Sequence, residues 1–211
     1  GDDGFSLWML GDEADLEQAS DILTDAFGDL PLYLFIFPLD STRKKLLKLL
    51  FYRNLWIVAC DRAPSDVYGV KNQEGEVVAA FIVSKTEDNL SMLQMLRAGL
   101  FTLFWQGGLA ATKRMLLIKD FFEAIEEQKG MPSIAYRLER VGVVSKLQGR
   151  KIGSRMLSAA IEKNFGDRPI VLSTQLKRNL IFYERLGFEL VDHFYVAHTK
   201  IDSWLMMKVQ K

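Results

Sequence analysis

The stretch Val141-Gly-Val-Val-Ser-Lys-Leu-Gln-Gly-Arg-Lys-Ile-Gly-Ser154 constrains the chain more than any other. Ahead of it, residues 134–144 are rich in β-branched and aromatic side chains and predict a strand. Behind it, Ile152, Met156, Leu157, Ala160 and Ile161 recur at helical spacing, which predicts an amphipathic helix from Lys151 to Asn164. A strand, a short glycine-bearing turn and a helix N-terminus thus follow one another. This order leaves several backbone N–H groups without intrahelical acceptors and aims the positive end of the helix dipole at one spot. An anion suits that spot, and a phosphate suits it best.

Two phosphate loops are excluded by spacing. No window supplies Gly-x-x-x-x-Gly-Lys-Ser/Thr. The turn has only Gly149 and Gly153, short of the three glycines of the dinucleotide fingerprint. Composition narrows the field further. Lys+Arg 27 against Asp+Glu 27 gives no net charge over 211 residues, without the basic footprint of a nucleic-acid binder. At 49% hydrophobic the chain can bury a substantial core. A single cysteine, Cys60, permits no internal disulfide and fits a reducing, cytoplasmic setting. Asp2 and Asp3 stand where a signal peptide would carry basic residues, so none is expected, and Gly1 in place of Met suggests processing or trimming.

Around the central stretch the elements read in order. Phe5 to Leu10 predicts a short strand, and Asp12 caps a helix with Leu16, Ala19, Ile22, Leu23 and Ala26 on its apolar face, ended by Gly28. Residues 30–39 form an aromatic run with prolines near both ends, which reads either as a buried turn and short helix or as a pocket wall. Ser41 or Thr42 opens a helix to about Asp61, with Leu46, Leu47, Leu50, Phe51 and Leu55 inward. Residues 67–71 and 77–83 flank Asn72-Gln-Glu-Gly75 as a hairpin. From about Asn89 to Lys129 two or three helices are expected, broken at Gly107-Gly108. The longest uncharged stretch there, 98–112, falls short of the roughly 20 residues that span a bilayer, so no membrane span is expected. No linker or repeat divides residues 1–211, which predicts one domain. His193, His198 and Cys60 form no metal set: the two histidines, five apart in a strand-rich tail, are expected on opposite faces as packing or surface residues. No Gly-x-Ser-x-Gly nucleophile elbow is present.

Gln148-Gly-Arg-Lys-Ile-Gly153 resembles the acetyl-CoA loop of the GNAT acetyltransferases, Gln/Arg-x-x-Gly-x-Gly/Ala, at Gln148 and Gly153, with Lys151 where that family has its first glycine. Some thirty residues later, Arg178-Asn-Leu-Ile-Phe-Tyr-Glu-Arg-Leu-Gly-Phe188 resembles the family's second hallmark, Asn-x-x-x-Phe-Tyr-x-x-x-Gly-Phe, in each of those positions. The strand-like Ile170 to Thr174 lies between them, and the wording of the second motif with the closing Trp-x-Met resembles the puromycin N-acetyltransferase-like branch. The resemblance covers residues 134–211 specifically. It implies an α/β GNAT fold, a mixed sheet of about seven strands flanked by helices, with a helical insertion at 89–130 on the substrate side. It implies acetyl transfer from acetyl-CoA to a small-molecule amine. A protein lysine or N-terminus as acceptor, or a non-catalytic CoA-binding sensor, are the alternatives, and an oligomer is left open.

The resemblance also places roles. Tyr183 becomes the acid that protonates the leaving thiolate, and the backbone N–H of Val143 the oxyanion donor, with Val141 also on the cofactor strand. Gln148, Gly149, Arg150, Lys151, Ile152, Gly153 and Ser154 offer N–H groups to the pyrophosphate, with Gly149 and Gly153 permitting its close approach. Asn179 contacts the pantetheine or phosphate arm. Glu139 is the candidate base, on a strand where 137, 139 and 141 are expected to share a face. A salt bridge with Arg137 or Arg140 accounts for Glu139 equally well. Lys151, if held at positive φ, costs on the order of 1 kcal/mol against glycine, and its ammonium could add an anion contact.

Overall fold

The computed structural model describes residues 4–61, 67–86, 100–196 and 199–209, without the side chains of Cys60, Asp61 and Leu100. Seven strands form one sheet: β1 (Ser6–Met9), β2 (Val67–Lys71), β3 (Val77–Lys85), β4 (Tyr136–Val143), β5 (Ile170–Thr174), β6 (Glu189–Tyr195) and β7 (Asp202–Lys208). Their spatial order is β1-β2-β3-β4-β5-β7-β6. Every neighbouring pair is antiparallel except β4 and β5. That pair is joined through a crossover helix, as a parallel pair requires. The expected mixed sheet is present.

Among the described residues six helices flank it: α1 (Glu13–Phe27), α2 (Pro31–Ile36), α3 (Asp40–Trp56), α4 (Leu100–Gln128), α5 (Ile152–Asn164) and α6 (Arg178–Glu184). The Asp12 carboxylate accepts the Asp15 N–H at 2.8 Å, the N-cap expected from sequence. The α3 helix begins one residue ahead of the expected Ser41, and its end runs on as a π-helical turn over Ile57–Asp61. The expected glycine break falls at Gly108, whose φ of 77° and ψ of 168° separate α4 into two helical stretches. Residues 89–99 and His198 lie outside the described residues. Among the described residues no helix is long and apolar enough to cross a membrane.

The sheet separates two cores. On one face α1, α2, α3 and α4 bury Leu16, Leu23, Leu47, Phe51 and Leu55 against Ala80 and Ile82. On the other, α5 and α6 bury Met156, Leu157, Ala160 and Tyr183 against Phe81, Val83, Leu138 and Leu172. Phe51, with no exposed surface, sits edge-on to both Phe27 and Tyr33. Its truncation to alanine removes the centre of the first core, worth about 3–5 kcal/mol. The aromatic run at 30–39 forms a short helix and is buried in part. Leu32, Tyr33, Ile36 and Phe37 are core, and Pro31 starts α2 at the position where a missing N–H costs nothing. Only the Tyr33 hydroxyl leaves that core, toward β4.

Candidate active site

The site begins with an irregularity in β4. The β3–β4 register passes from Phe81↔Val141 to Val83↔Leu138, so β4 carries one extra residue at Glu139–Arg140. This is a β-bulge, and it resets the alternation of side chains. Leu138, Val141 and Val143 face the α5/α6 core. Arg137 instead pairs with Glu126 of α4, and Arg140 reaches Tyr33 of α2. The expected shared face therefore holds for Arg137 and Glu139 but not for Val141, because the bulge lies between them.

Just before the bulge β4 leaves β5. Their ladder consists of Tyr136↔Ile170 and Arg137↔Val171. On the other side β4 stays paired with β3, where Val144 donates its N–H to Val78 O at 3.0 Å and Gly142 stands opposite Ala80. Since successive N–H groups alternate in direction, those of Val141 and Val143 point into the gap that opens toward β5. Gly142 lies against α1, where an added Cβ would meet Leu23 Cδ2 at 3.0 Å and Ile22 Cγ2 at 3.2 Å.

At the end of β4 a single 3₁₀ turn (Ser145–Leu147) leads into the loop. Gln148 Nε2 donates to Val143 O at 3.1 Å, which ties the loop back to the strand. The Gln148 N–H already donates to Ser145 O at 3.2 Å, so it is not among the groups free for a ligand, contrary to expectation. The following N–H groups differ. Gly149, Arg150, Lys151, Ile152, Gly153 and Ser154 have no backbone acceptor among the described residues. Gly149 (φ 79°) and Lys151 (φ 60°) both sit in the left-handed region, and Lys151 is the non-glycine residue found there. Gly153 has ordinary helical backbone, and its added Cβ would stand 3.4 Å from Val143 Cγ2. The Ser154 hydroxyl donates to Lys151 O at 3.0 Å and steadies the first turn of α5. Six N–H groups without backbone acceptors, at and just before a helix N-terminus, are the donors that an anion cradle needs.

Tyr183 and Asn179 lie one turn apart on α6 and so share a face. Tyr183 is buried, with Phe182 and Phe188 edge-on at ring separations of 5.0 and 5.8 Å. Its hydroxyl has no hydrogen-bond partner among the described residues, and the oxygen itself is not fully sealed. Burial pushes the phenol well above its usual value, so the group stays protonated. Asn179 Nδ2 donates to Thr174 Oγ1 at 3.1 Å, which fixes the amide at the end of β5.

Glu139 lies on the opposite face of the sheet. Its Oε1 accepts from Ser84 Oγ at 2.6 Å and its Oε2 from Arg140 Nη1 at 2.9 Å. Of the two candidate salt bridges, the one to Arg140 forms, while Arg137 is held by Glu126. Arg140 also donates to Tyr33 Oη at 3.3 Å and lies over the Phe51 ring. Sequence reasoning missed Ser84 and Tyr33. A serine closing an otherwise apolar strand was the one sign of the first, and the second was hidden in a run that reads as core.

His193, in β6, stacks on Trp204 at 4.9 Å and pairs through Nε2 with Asp202, as a surface residue. Among the described residues no three metal-ligating side chains cluster. An apolar concavity of about 400 Å³ is lined by Phe101, Thr102, Trp105 and Gln106 of α4 and includes none of the residues above.

The family model of the GNAT acetyltransferase domain matches residues 115–190, from the second stretch of α4 to the start of β6. Together with the sheet order and the parting of β4 from β5, this decides the architecture. The chain has the GNAT fold. The matched GNAT domain indicates an N-acetyltransferase, and such enzymes take acetyl-CoA as co-substrate. Solved GNAT structures cover the chain almost end to end. One from Corynebacterium glutamicum, described as histone acetyltransferase HPA2 and related acetyltransferase, has 18% identity and a TM-score of 0.66, over 99% of this chain and 97% of that one. The Drosophila melanogaster polyamine N-acetyltransferase has 14% identity and a TM-score of 0.62, over 98% and 100%. A chain of the NatC complex bound to Gag peptide and CoA has 12% identity and a TM-score of 0.56, over 98% and 99%. No curated protein matches the sequence.

Proposed function

We propose that the protein transfers the acetyl group of acetyl-CoA directly to a small-molecule amine. The observation that carries this reading is a set of unpaired donors on β4, on the loop that follows it and on α6. These are the N–H groups of Val141 and Val143, the loop N–H groups of residues 149–154 and the Tyr183 hydroxyl. Each is a donor that the folded protein leaves unused. Together they match a ligand with phosphates, a carbonyl that becomes an oxyanion, and a sulfur that leaves.

The chemistry assigns the residues. A protonated alkylamine, with a pKa of roughly 10, must lose a proton before it attacks. That first proton goes to solvent, and Glu139, paired with Arg140, receives the one the nitrogen loses as it attacks, directly or through a water. The nitrogen–carbon bond forms as the carbonyl π electrons move onto oxygen, where the Val143 N–H, and Val141 behind it, meet the charge. The carbon–sulfur bond then breaks, and Tyr183 supplies the proton to sulfur. A thiol with pKa near about 8.5 is a stronger acid than a buried phenol in water. The thiolate, however, leaves into the same apolar surroundings that raise Tyr183, so both groups shift upward together. Asn179 and the loop residues Gly149, Arg150, Lys151, Ile152, Gly153 and Ser154 hold the cofactor arm, and Gln148 holds the loop.

The puromycin acetyltransferase-like wording of residues 178–188 puts a small amine ahead of a protein lysine or N-terminus, and the similar structures include acetyltransferases of both kinds. The single cysteine supports a cytoplasmic setting, and the absence of a dividing linker supports one domain over 1–211. The test is calorimetric titration with acetyl-CoA, followed by thiol release on a panel of small amines and lysine peptides. Micromolar binding with release on small amines is the expected result. Release on peptides alone reassigns the acceptor, and binding without release on any amine marks a sensor.

A further inference from the structure

The Ser173 hydroxyl oxygen is one of two buried side-chain polar atoms without a partner among the described residues, the other being Arg53 Nε. Such an atom costs stability and gives nothing back in the free protein. Its place in the sheet explains what it is for. Ile170 and Leu172 face the α5/α6 core, so by alternation Val171 and Ser173 face the other side, the side of α4. Continuing the parallel register from Arg137↔Val171 brings Ser173 level with Glu139, where the two strands have already parted. Glu139, by its bond to Ser84 and its neighbour Arg137, is on that same face.

A row of small polar side chains thus crosses four neighbouring strands on one face of an apolar sheet. Ser84 stands on β3, Glu139 on β4, Ser173 on β5 and Ser203 on β7, with Gln175 Nε2 donating to Ser203 Oγ at 3.1 Å. Ser84 is spent on Glu139 and Ser203 on Gln175. Ser173 alone of the serines is unspent, and the residue as a whole is half-buried rather than sealed, at the edge of the gap. We propose that Ser173 is an acceptor contact: its hydroxyl oxygen accepts a hydrogen bond from the incoming amine and holds the nitrogen between β5 and the Glu139 carboxylate. In that position the amine has one N–H on Ser173, another directed at Glu139 and its lone pair toward the gap. Transfer forms the nitrogen–carbon bond, breaks the carbon–sulfur bond, passes one amine proton to Glu139 and leaves the Ser173 hydroxyl unchanged. The inference rests on the acetyltransferase reading above.

The experiment compares wild type with Ser173→Ala, using spermidine, agmatine and tyramine as acceptors and thiol release as readout. Removing an unpaired buried hydroxyl leaves the melting temperature unchanged or slightly higher. The expected result is a fall of about three- to tenfold in kcat/KM for the amine, the worth of one neutral hydrogen bond, with KM for acetyl-CoA unchanged. Equal amine kinetics in the two proteins overturn the Ser173 assignment and leave the acetyltransferase reading standing. A lower melting temperature with unchanged amine kinetics overturns it likewise, as a packing role. No thiol release by wild type on any of the three amines overturns the small-amine reading and the Ser173 assignment together.

Discussion

Lys151→Gly separates two effects that meet at one residue. Lys151 has φ 60° and ψ 13°, a left-handed backbone at the N-cap of α5. For an L-residue with a side chain that conformation costs about 1–2 kcal/mol. Glycine removes the cost but loosens the unfolded chain, which takes back about 0.4–1 kcal/mol. The net is a gain of about 1 kcal/mol or less, a rise of roughly 2–4 °C in melting temperature for a domain of this size. The lysine ammonium is exposed and has no ion-pair partner among the described residues, at the mouth of a cradle of free N–H groups. Losing it weakens acetyl-CoA binding by about two- to fivefold, the scale of one exposed ion pair. That loss shrinks in 1 M salt, where the screening length falls to about 3 Å. Thermal unfolding without ligand reads the first effect, and calorimetry at low and high salt reads the second. A variant that melts several degrees lower refutes the strain argument. Unchanged affinity at low salt refutes the ammonium contact, and lysine is then tolerated at that position without being used.

Tyr183→Phe lowers kcat while acetyl-CoA affinity stays within about twofold, and an unchanged kcat removes Tyr183 as the acid. Burial raises the Tyr183 phenol in the folded state, so its share of stability is present below the unfolded value near about 10 and is lost as pH rises above it, at up to about 1.4 kcal/mol per pH unit. Denaturant titrations at pH 9 and pH 11 show this loss in wild type, and Tyr183→Phe makes it smaller, the remainder belonging to Tyr52 and Lys48, which are also raised. Gly153→Ala finds ordinary van der Waals room against Val143 and favours α5 by about 0.5–1 kcal/mol, so its melting temperature holds or rises. Weaker acetyl-CoA binding in that stable variant locates the close approach at Gly153, and unchanged binding removes that role. Glu139→Gln lowers kcat/KM by about a hundredfold or more if the carboxylate takes the proton, and a change under threefold assigns it to the Arg140 ion pair alone.

Much of this was legible because local chemistry and fold agree. The Asp12 cap, the Gly108 break, the hairpin at 72–75 and the strand at 170–174 each follow from residues acting on their immediate neighbours. The loop and the α6 motif were legible as fixed spacings. Long-range partners were not. Nothing near Glu139 in sequence points to Ser84, 55 residues away, and nothing near Arg140 points to Tyr33, 107 residues away. Nor does sequence show that the Gln148 N–H is consumed inside its own turn.

The bulge in β4 was missed although its signal is present. Leu138 and Val141 are both apolar and three apart, so a regular strand would put them on opposite faces. Read forward from Leu138, strict alternation drives Arg140 into the α5/α6 core. It also turns Val141 and Val143 toward α1, which approaches so closely at Gly142 that even a Cβ there meets Leu23 at 3.0 Å. A desolvated, unpaired arginine is far costlier than one irregular residue in a ladder. One extra residue at Glu139–Arg140 removes the conflict: Arg140 goes to Glu139, Tyr33 and the Phe51 ring, and the valines return to the apolar side. A bulge also bends its strand, and here the β4–β5 ladder stops two residues before it. The bulge that the arginine calls for thus falls where the two strands part, and that parting leaves the Val141 and Val143 N–H groups free. The sequence feature that marks the candidate site is a phase error in an alternating pattern, found by testing both ends of a strand against each other.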